Sequence, residues 1–247
     1  MGWISVGTDP GSLSGAEPLS ARNPDKSIER INPMETATKN HAAKVLRRLK
    51  ADYPEAPCAL VHRTPFQLLI ATILSAQCTD ERVNRVTKDL FRKYKTPQDF
   101  AMAPLKAIEK AVQSTGFYRN KAKNIKACST ALAENHSGKV PQDLEALVKL
   151  AGVGRKTANV VLGTAFGQAS GVVVDTHVGR LSRRLGLTRH KDAVKVEKDL
   201  MQLLPKKEWI QFSHRMIYHG RAVCAARRPC CESCSMKPFC PQMGVNG

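Results

Sequence analysis

Apolar residues recur along most of the chain at three- and four-residue spacing, the interval that lines up one face of an α-helix. Val45, Leu46 and Leu49 form a first stripe that stops before Pro54. Thr64-Pro65 offers a capping hydroxyl followed by a residue with preset φ, so a helix is expected over 64–74. Val83, Val86, Leu90 and Phe91 continue the pattern, and Thr96-Pro97 and Ala103-Pro104 read as two more helix starts, the second helix running to Gly116. Ile125, Cys128 and Leu132 mark a helix closed at 135–138. Leu144, Leu147 and Leu150 mark one that breaks at 151–154, and later stripes cover 161–165, 178–185, 196–204 and 209–216. Only 172–174 resembles a strand, and it is too short to found a sheet. The pattern predicts an all-α fold of about ten helices.

Residues 1–36 lack this periodicity and are rich in Gly, Ser, Pro, Asp and Asn, the composition of a disordered N-terminal tail. The charge divides at the same place. The chain carries 39 Lys and Arg against 21 Asp and Glu, a formal charge of +18, yet residues 1–36 sum to −2 and residues 37–247 to +20. A body that basic favours a polyanion, because each neutralised phosphate releases condensed counterions. Nucleic acid is the first expectation and an anionic membrane surface the second. The N-terminus has neither the cationic nor the apolar part of a secretory signal, and the longest uncharged stretch, 157–174, is too short and too interrupted by glycine to span a bilayer. Eight cysteines in such a chain suggest metal or reactive thiols over a disulfide scaffold. The expected location is cytoplasmic.

The candidate chemistry sits in a few short segments. Cys224, Cys231, Cys234 and Cys240 have the spacing C-x6-C-x2-C-x5-C, on a loop stiffened by Pro229, Pro238 and Pro241. Four thiolates so close can wrap one inorganic centre, either a structural zinc or a [4Fe–4S] cluster. Zinc ribbons usually join two C-x2-C knuckles and only one is present, so the compact wrapping fits a cluster better. Cys230 is a fifth thiol, beside a ligand. The run Leu150-Ala151-Gly152-Val153-Gly154-Arg155-Lys156 joins two helices through two glycines, which permit positive φ and close approach. The first N–H groups of the second helix lack helical partners and point outward at its positive end, a seat for phosphate. Lys156 then falls in the first helical turn, where the dipole disfavours a cation and so favours the nucleophilic free amine. Asp175 ends the apolar run 172–174 at a position suited to cap the next helix. Gln77, after the helix over 64–74, and Phe117, after Gly116, mean little by themselves.

Together these residues are recognisable. From about Ala37 to Cys240 the chain resembles endonuclease III, the helix-hairpin-helix DNA glycosylase family, through LSAQCTD (74–80), LAGVGRKTANVV (150–161), VDTHV (174–178), HGR (219–221) and the four-cysteine loop. The resemblance implies a two-domain fold: a six-helix barrel over 58–168 with the helix-hairpin-helix at 142–166, and a discontinuous iron–sulfur domain from 37–57 and 169–247. It implies a bifunctional glycosylase and abasic-site lyase of base excision repair that removes oxidised pyrimidines from duplex DNA and cuts 3′ to the abasic site by β-elimination. Lys156 matches the family's Schiff-base lysine and Asp175 its catalytic aspartate. Gln77 matches the residue filling the gap left by the extruded nucleotide, and Phe117 falls where the family often has a leucine wedge. Gly152, Val153, Gly154 and Arg155 of the hairpin, with Arg227 and Arg228, are expected to grip DNA, and Cys224, Cys231, Cys234 and Cys240 to hold a [4Fe–4S] cluster. Double-stranded DNA with damaged bases or abasic sites is the expected partner, with no membrane, the protein acting as a monomer, nucleoid-associated in a prokaryote. An adenine-mismatch glycosylase of the same superfamily has no Schiff-base lysine, and a non-catalytic iron–sulfur DNA-binding protein has no need for Lys156 with Asp175.

Overall fold

The computed structural model describes residues 33–245, with side chains from Thr38 onward. In chain order they form α1 (Pro33–Asp52), α2 (Pro65–Leu74), α3 (Asp80–Lys93), α4 (Pro97–Met102), α5 (Leu105–Val112), α6 (Tyr118–Asn135), α7 (Leu144–Val148), α8 (Arg155–Phe166), α9 (Thr176–Arg184), α10 (Ala193–Leu203) and α11 (Trp209–Ala222), with 3₁₀ turns at Gln113–Thr115, Lys206–Glu208 and Lys237–Phe239. The expected tail lies outside the described residues as far as 32. Its last part does not behave as a tail, because α1 begins at Pro33, a residue whose fixed φ suits a first helical position. The described residues contain no strand, and 172–175 has no regular secondary structure, Asp175 at its end being extended.

The helix starts follow local chemistry. Thr64 accepts a hydrogen bond from Gln67 N–H at 3.2 Å, with Pro65 at the first helical position. Thr96 and Asp99 form a reciprocal capping box, 3.2 Å from Asp99 N–H to Thr96 Oγ1 and 2.9 Å from Thr96 N–H to Asp99 Oδ2. From Leu68 to Leu74, α2 is buried on all sides, as a helix apolar all round must be. It packs against α6 and α8, while α4 and α5 lie on α6.

Burial is concentrated in two clusters. One draws on α2 to α8, with Phe100 fully buried between Phe66 and Tyr94 at ring separations of 5.6 and 4.9 Å. The other combines Ala42, Val45 and Leu49 of α1 with Val178, Leu181, Val196, Leu200, Phe212 and Met216 of α9 to α11, and Met236 of the cysteine loop. The end of α1 is fastened to α11 by polar contacts: Arg215 Nε donates to Tyr53 O at 3.0 Å, and Glu208 accepts from Lys50 at 2.8 Å. That lysine holds the Glu208 carboxyl below the usual range. No helix among the described residues is long and apolar enough to cross a membrane.

Candidate active site and nucleic-acid interface

The hairpin between α7 and α8 uses its two glycines differently. Gly152 has φ +76°, and a Cβ there would lie 2.9 Å from Asn124 Cβ on α6, so fold and backbone both demand glycine. Gly154 is extended, with φ −88° and ψ 174°, and its missing Cβ faces open space. Only the first glycine therefore uses the positive φ that both residues permit. Gly154 is the N-cap of α8 and offers no capping side chain. The first helical bond is Ala158 N–H to Gly154 O at 3.0 Å, so the N–H groups of Arg155, Lys156 and Thr157 have no helical acceptor. Val153 is buried in the first cluster, which leaves only its backbone for a ligand.

Lys156 is exposed in the first turn of α8. Its neighbour Arg155 is engaged elsewhere: Nε and Nη2 reach Glu197 of α10 at 3.1 and 3.2 Å, and this pairing strengthens the guanidinium's hold on its proton. Glu197 is buried and also accepts from Asn159 Nδ2 at 3.0 Å, while Asn159 Oδ1 accepts from Ser170 Oγ at 2.9 Å. Gly171 lies so close that a Cβ would fall 2.0 Å from Glu197 Oε1. One buried carboxylate thus fixes the residue before Lys156 and the start of the segment leading to Asp175. No sequence signal marked Glu197, an acidic residue in an amphipathic helix.

Asp175 is the N-cap of α9. Its Oδ1 accepts from Val178 N–H at 2.7 Å, while Oδ2 makes no protein hydrogen bond among the described residues. Two steps on, His177 meets Arg180 Nη2 at 3.2 Å, and burial lowers its proton affinity against the opposing pull of Asp175.

Gln77 and Phe117 share an unusual conformation. Both are exposed and both sit in the left-handed region, at φ 52° and 48°. Phe117 is 68% exposed, far from the buried fate usual for an aromatic after a helix end. The LSAQCTD and HGR segments touch, since Arg221 donates to Asp80 at 2.5 Å.

The four cysteines Cys224, Cys231, Cys234 and Cys240 line a single cavity together with Arg184, His219 and the exposed Cys230. Arg184, itself buried, donates to Cys224 Sγ at 3.3 Å and to Ala225 O at 2.7 Å, while Arg180 reaches Cys224 O at 2.9 Å. Gln242 N–H lies 3.4 Å from Cys240 Sγ and His219 Nε2 lies 3.7 Å from Cys234 Sγ. Burial, reinforced by the neighbouring thiols, pushes Cys234 and Cys240 above the ordinary thiol range. Among the described residues no three His, Cys, Asp or Glu side chains converge on a single-ion site. Arg227 and Arg228 are exposed on the same loop, Arg228 at φ 50°.

A family model described as HhH-GPD superfamily base excision DNA repair protein matches residues 70–206. Endonuclease III of Synechocystis sp. is 54% identical over 203 residues, covering 82% of this chain and 93% of that protein. Endonuclease III of Bacillus subtilis is 52% identical over 189 residues, 76% and 86% of the two chains. A solved non-covalent Endonuclease III-DNA complex matches with a TM-score of 0.79 and 50% identity over 83% of this chain and 95% of that one. A trapped Endonuclease III-DNA covalent intermediate matches with the same TM-score and 49% identity, over 83% and 96%.

Proposed function

The chain belongs to the HhH-GPD superfamily of base excision DNA repair proteins, and on that premise we propose that it removes oxidised pyrimidines from duplex DNA and then cuts the strand 3′ to the abasic site. The observation that carries this reading is Lys156, an exposed amine in the first turn of α8 directly behind a run of N–H groups without helical acceptors. A phosphate fits that run without sequence preference, which brings the sugar of a neighbouring nucleotide toward the amine. Binding to damaged or abasic duplex DNA by a monomer is in keeping with the +18 charge and with relatives solved as DNA complexes.

Each residue then has a task. A base inside the helix shields its sugar C1′, so the nucleotide is turned out at a cost of a few kcal/mol. Gln77 and Phe117, exposed at loop tips, offset this by occupying the space left behind. The backbone of Gly152, Val153, Gly154 and Arg155, with Arg227 and Arg228, holds phosphates. The Lys156 amine bonds to C1′ as the C1′–N bond to the base breaks, and the base departs with a proton. The nitrogen lone pair then forms the C1′=N bond as the C1′–O4′ bond breaks and O4′ takes up a proton, and the protonated imine on the opened sugar acidifies the 2′ carbon. Loss of the C2′ proton sends its electron pair into a new C2′–C3′ double bond as the C3′–O bond breaks. Asp175, with Oδ2 free of partners among the described residues, assists deprotonation of the amine and stabilises positive charge on the sugar.

We assign 58–168 to the barrel domain and 37–57 with 169–247 to the cluster domain, supported by the two separate buried clusters. Cys224, Cys231, Cys234 and Cys240 would hold a [4Fe–4S] cluster. The donor set fits, because four thiols surround a cavity and receive N–H donors from Arg184 and Gln242, as cluster sulfurs commonly do. When bound, the cluster supplies a rigid anchor for the loop bearing Arg227 and Arg228. Nicking of duplexes bearing thymine glycol, 8-oxoguanine, uracil or an abasic site tests the reading. Cuts at thymine glycol and the abasic site support it, and binding without cutting refutes it.

A further inference from the structure

Lys121 is a buried cation whose partners are main-chain carbonyls. It lies on the apolar stripe of α6, only 5% exposed, in register with Ile125, Cys128 and Leu132. Its Nζ donates to Leu74 O and to Thr115 O, both at 2.8 Å. Leu74 is the last residue of α2, three before Gln77, and Thr115 ends the 3₁₀ turn two before Phe117. Its own N–H binds Phe117 O at 3.1 Å. One side chain is therefore tied to the roots of both loops whose tips hold non-glycine residues at positive φ. Such backbone persists only where the surroundings over-determine it, and an ammonium group with several rotatable donors can hold two carbonyls from segments distant in sequence.

We propose that Lys121 is a positioning residue that holds the Gln77 and Phe117 loops in one arrangement, so that both side chains enter the duplex together when a nucleotide is turned out. The role rests on the glycosylase reading, in which those two residues fill the vacated space. It touches no reacting atom. Its loss should therefore weaken extrusion of a paired nucleotide and spare chemistry on a nucleotide already free of the stack.

The experiment compares two substrates. The first is duplex DNA with thymine glycol and a 2-aminopurine in the opposing strand, whose fluorescence reports unstacking. The second is a single-stranded abasic oligonucleotide trapped with borohydride, which needs no extrusion. Lys121→Met keeps an unbranched chain one atom shorter and removes the tether. It should slow duplex excision and blunt the fluorescence rise about tenfold or more, because side chains that no longer enter together cannot offset the cost of unstacking and unpairing the nucleotide, while single-strand trapping stays at the wild-type level. Lys121→Arg restores cationic donors and should keep the wild-type ratio of the two activities. A residue that only fills space gives the opposite order, with methionine the milder change. That order, or an equal fall on both substrates, overturns the proposal. If Lys121→Met does not fold, Lys121→Arg decides: wild-type activity on both substrates supports the tether, and an equal fall on both contradicts it. A wild-type protein inactive on both substrates removes the glycosylase reading itself, and this role with it.

Discussion

Arg155 and Glu197 are joined by two hydrogen bonds, 3.1 Å from Nε to Oε2 and 3.2 Å from Nη2 to Oε1, across forty-two positions of sequence. The pair ties the start of α8, and with it Lys156, to α10. Because Glu197 also carries Asn159 and abuts Gly171, its removal leaves three N–H donors of Arg155 and Asn159 unpaired and opens space beside the segment that leads to Asp175. Glu197→Ala should cost about 1–3 kcal/mol of stability, read from urea unfolding. Base excision should slow further than that loss explains, because the Lys156 and Asp175 segments lose their shared support. A variant as stable and as fast as the wild type would show that the pair is incidental.

The two hairpin glycines separate fold from binding. Gly152→Ala places a methyl group against Asn124 and holds alanine at φ +76°, a combination expected to cost about 1–3 kcal/mol. Gly154→Ala meets open space and should leave the melting temperature almost unchanged. Its new methyl group stands where a phosphate would approach, so affinity for duplex DNA should fall. Fluorescence anisotropy alongside thermal melting distinguishes the two, and equal effects on both measurements would contradict this division.

Helix periodicity and capping chemistry made most of the fold legible. Thr64-Pro65 and Thr96-Pro97 are local signals, and both caps form as their sequences dictate. The cysteine spacing and the glycine hairpin were equally plain. What stayed hidden depends on partners far away in the chain. Arg155 reads as a free cation beside a phosphate seat, and nothing nearby indicates that Glu197 takes its guanidinium. Lys121 carried a faint sign, a lysine on the apolar face of α6, but its acceptors are carbonyls of two other segments. Gly154 shows the complementary limit: the letter permits positive φ, yet the helix start it caps requires extended backbone.

Loss of a liganding thiol should separate Cys231 from its neighbour. Cys231→Ser should lower iron content and bleach the broad absorption near roughly 400 nm expected of thiolate-bound iron clusters. Cys230→Ser should leave both unchanged. Colourless protein with one stoichiometric zinc after anaerobic preparation would contradict the cluster assignment.

Acid should destabilise the fold through partly buried imidazoles. Burial lowers His214 and His177 below the ordinary value of 6.5. In the unfolded chain they take up protons near that pH, and in the folded chain only below it. Unfolding therefore binds protons in this window, and stability present above 6.5 is lost as the pH falls through it. His214→Gln should flatten the dependence by at most one proton, or about 1.4 kcal/mol per pH unit. Thermal melts between about pH 7.5 and about pH 5.5 provide the comparison, and an unchanged slope would exclude His214 as a contributor.

The central claim is that Lys156 is the nucleophile, and borohydride trapping tests it most directly. Reduction of the imine should leave the wild-type protein covalently attached to DNA bearing an abasic site or an oxidised pyrimidine, with the adduct mapping to the tryptic peptide that contains Lys156. Lys156→Gln keeps a long polar side chain that cannot form an imine, so it should bind DNA but neither trap nor nick. A crosslink on another amine, or nicking by Lys156→Gln at the wild-type rate, would contradict the account.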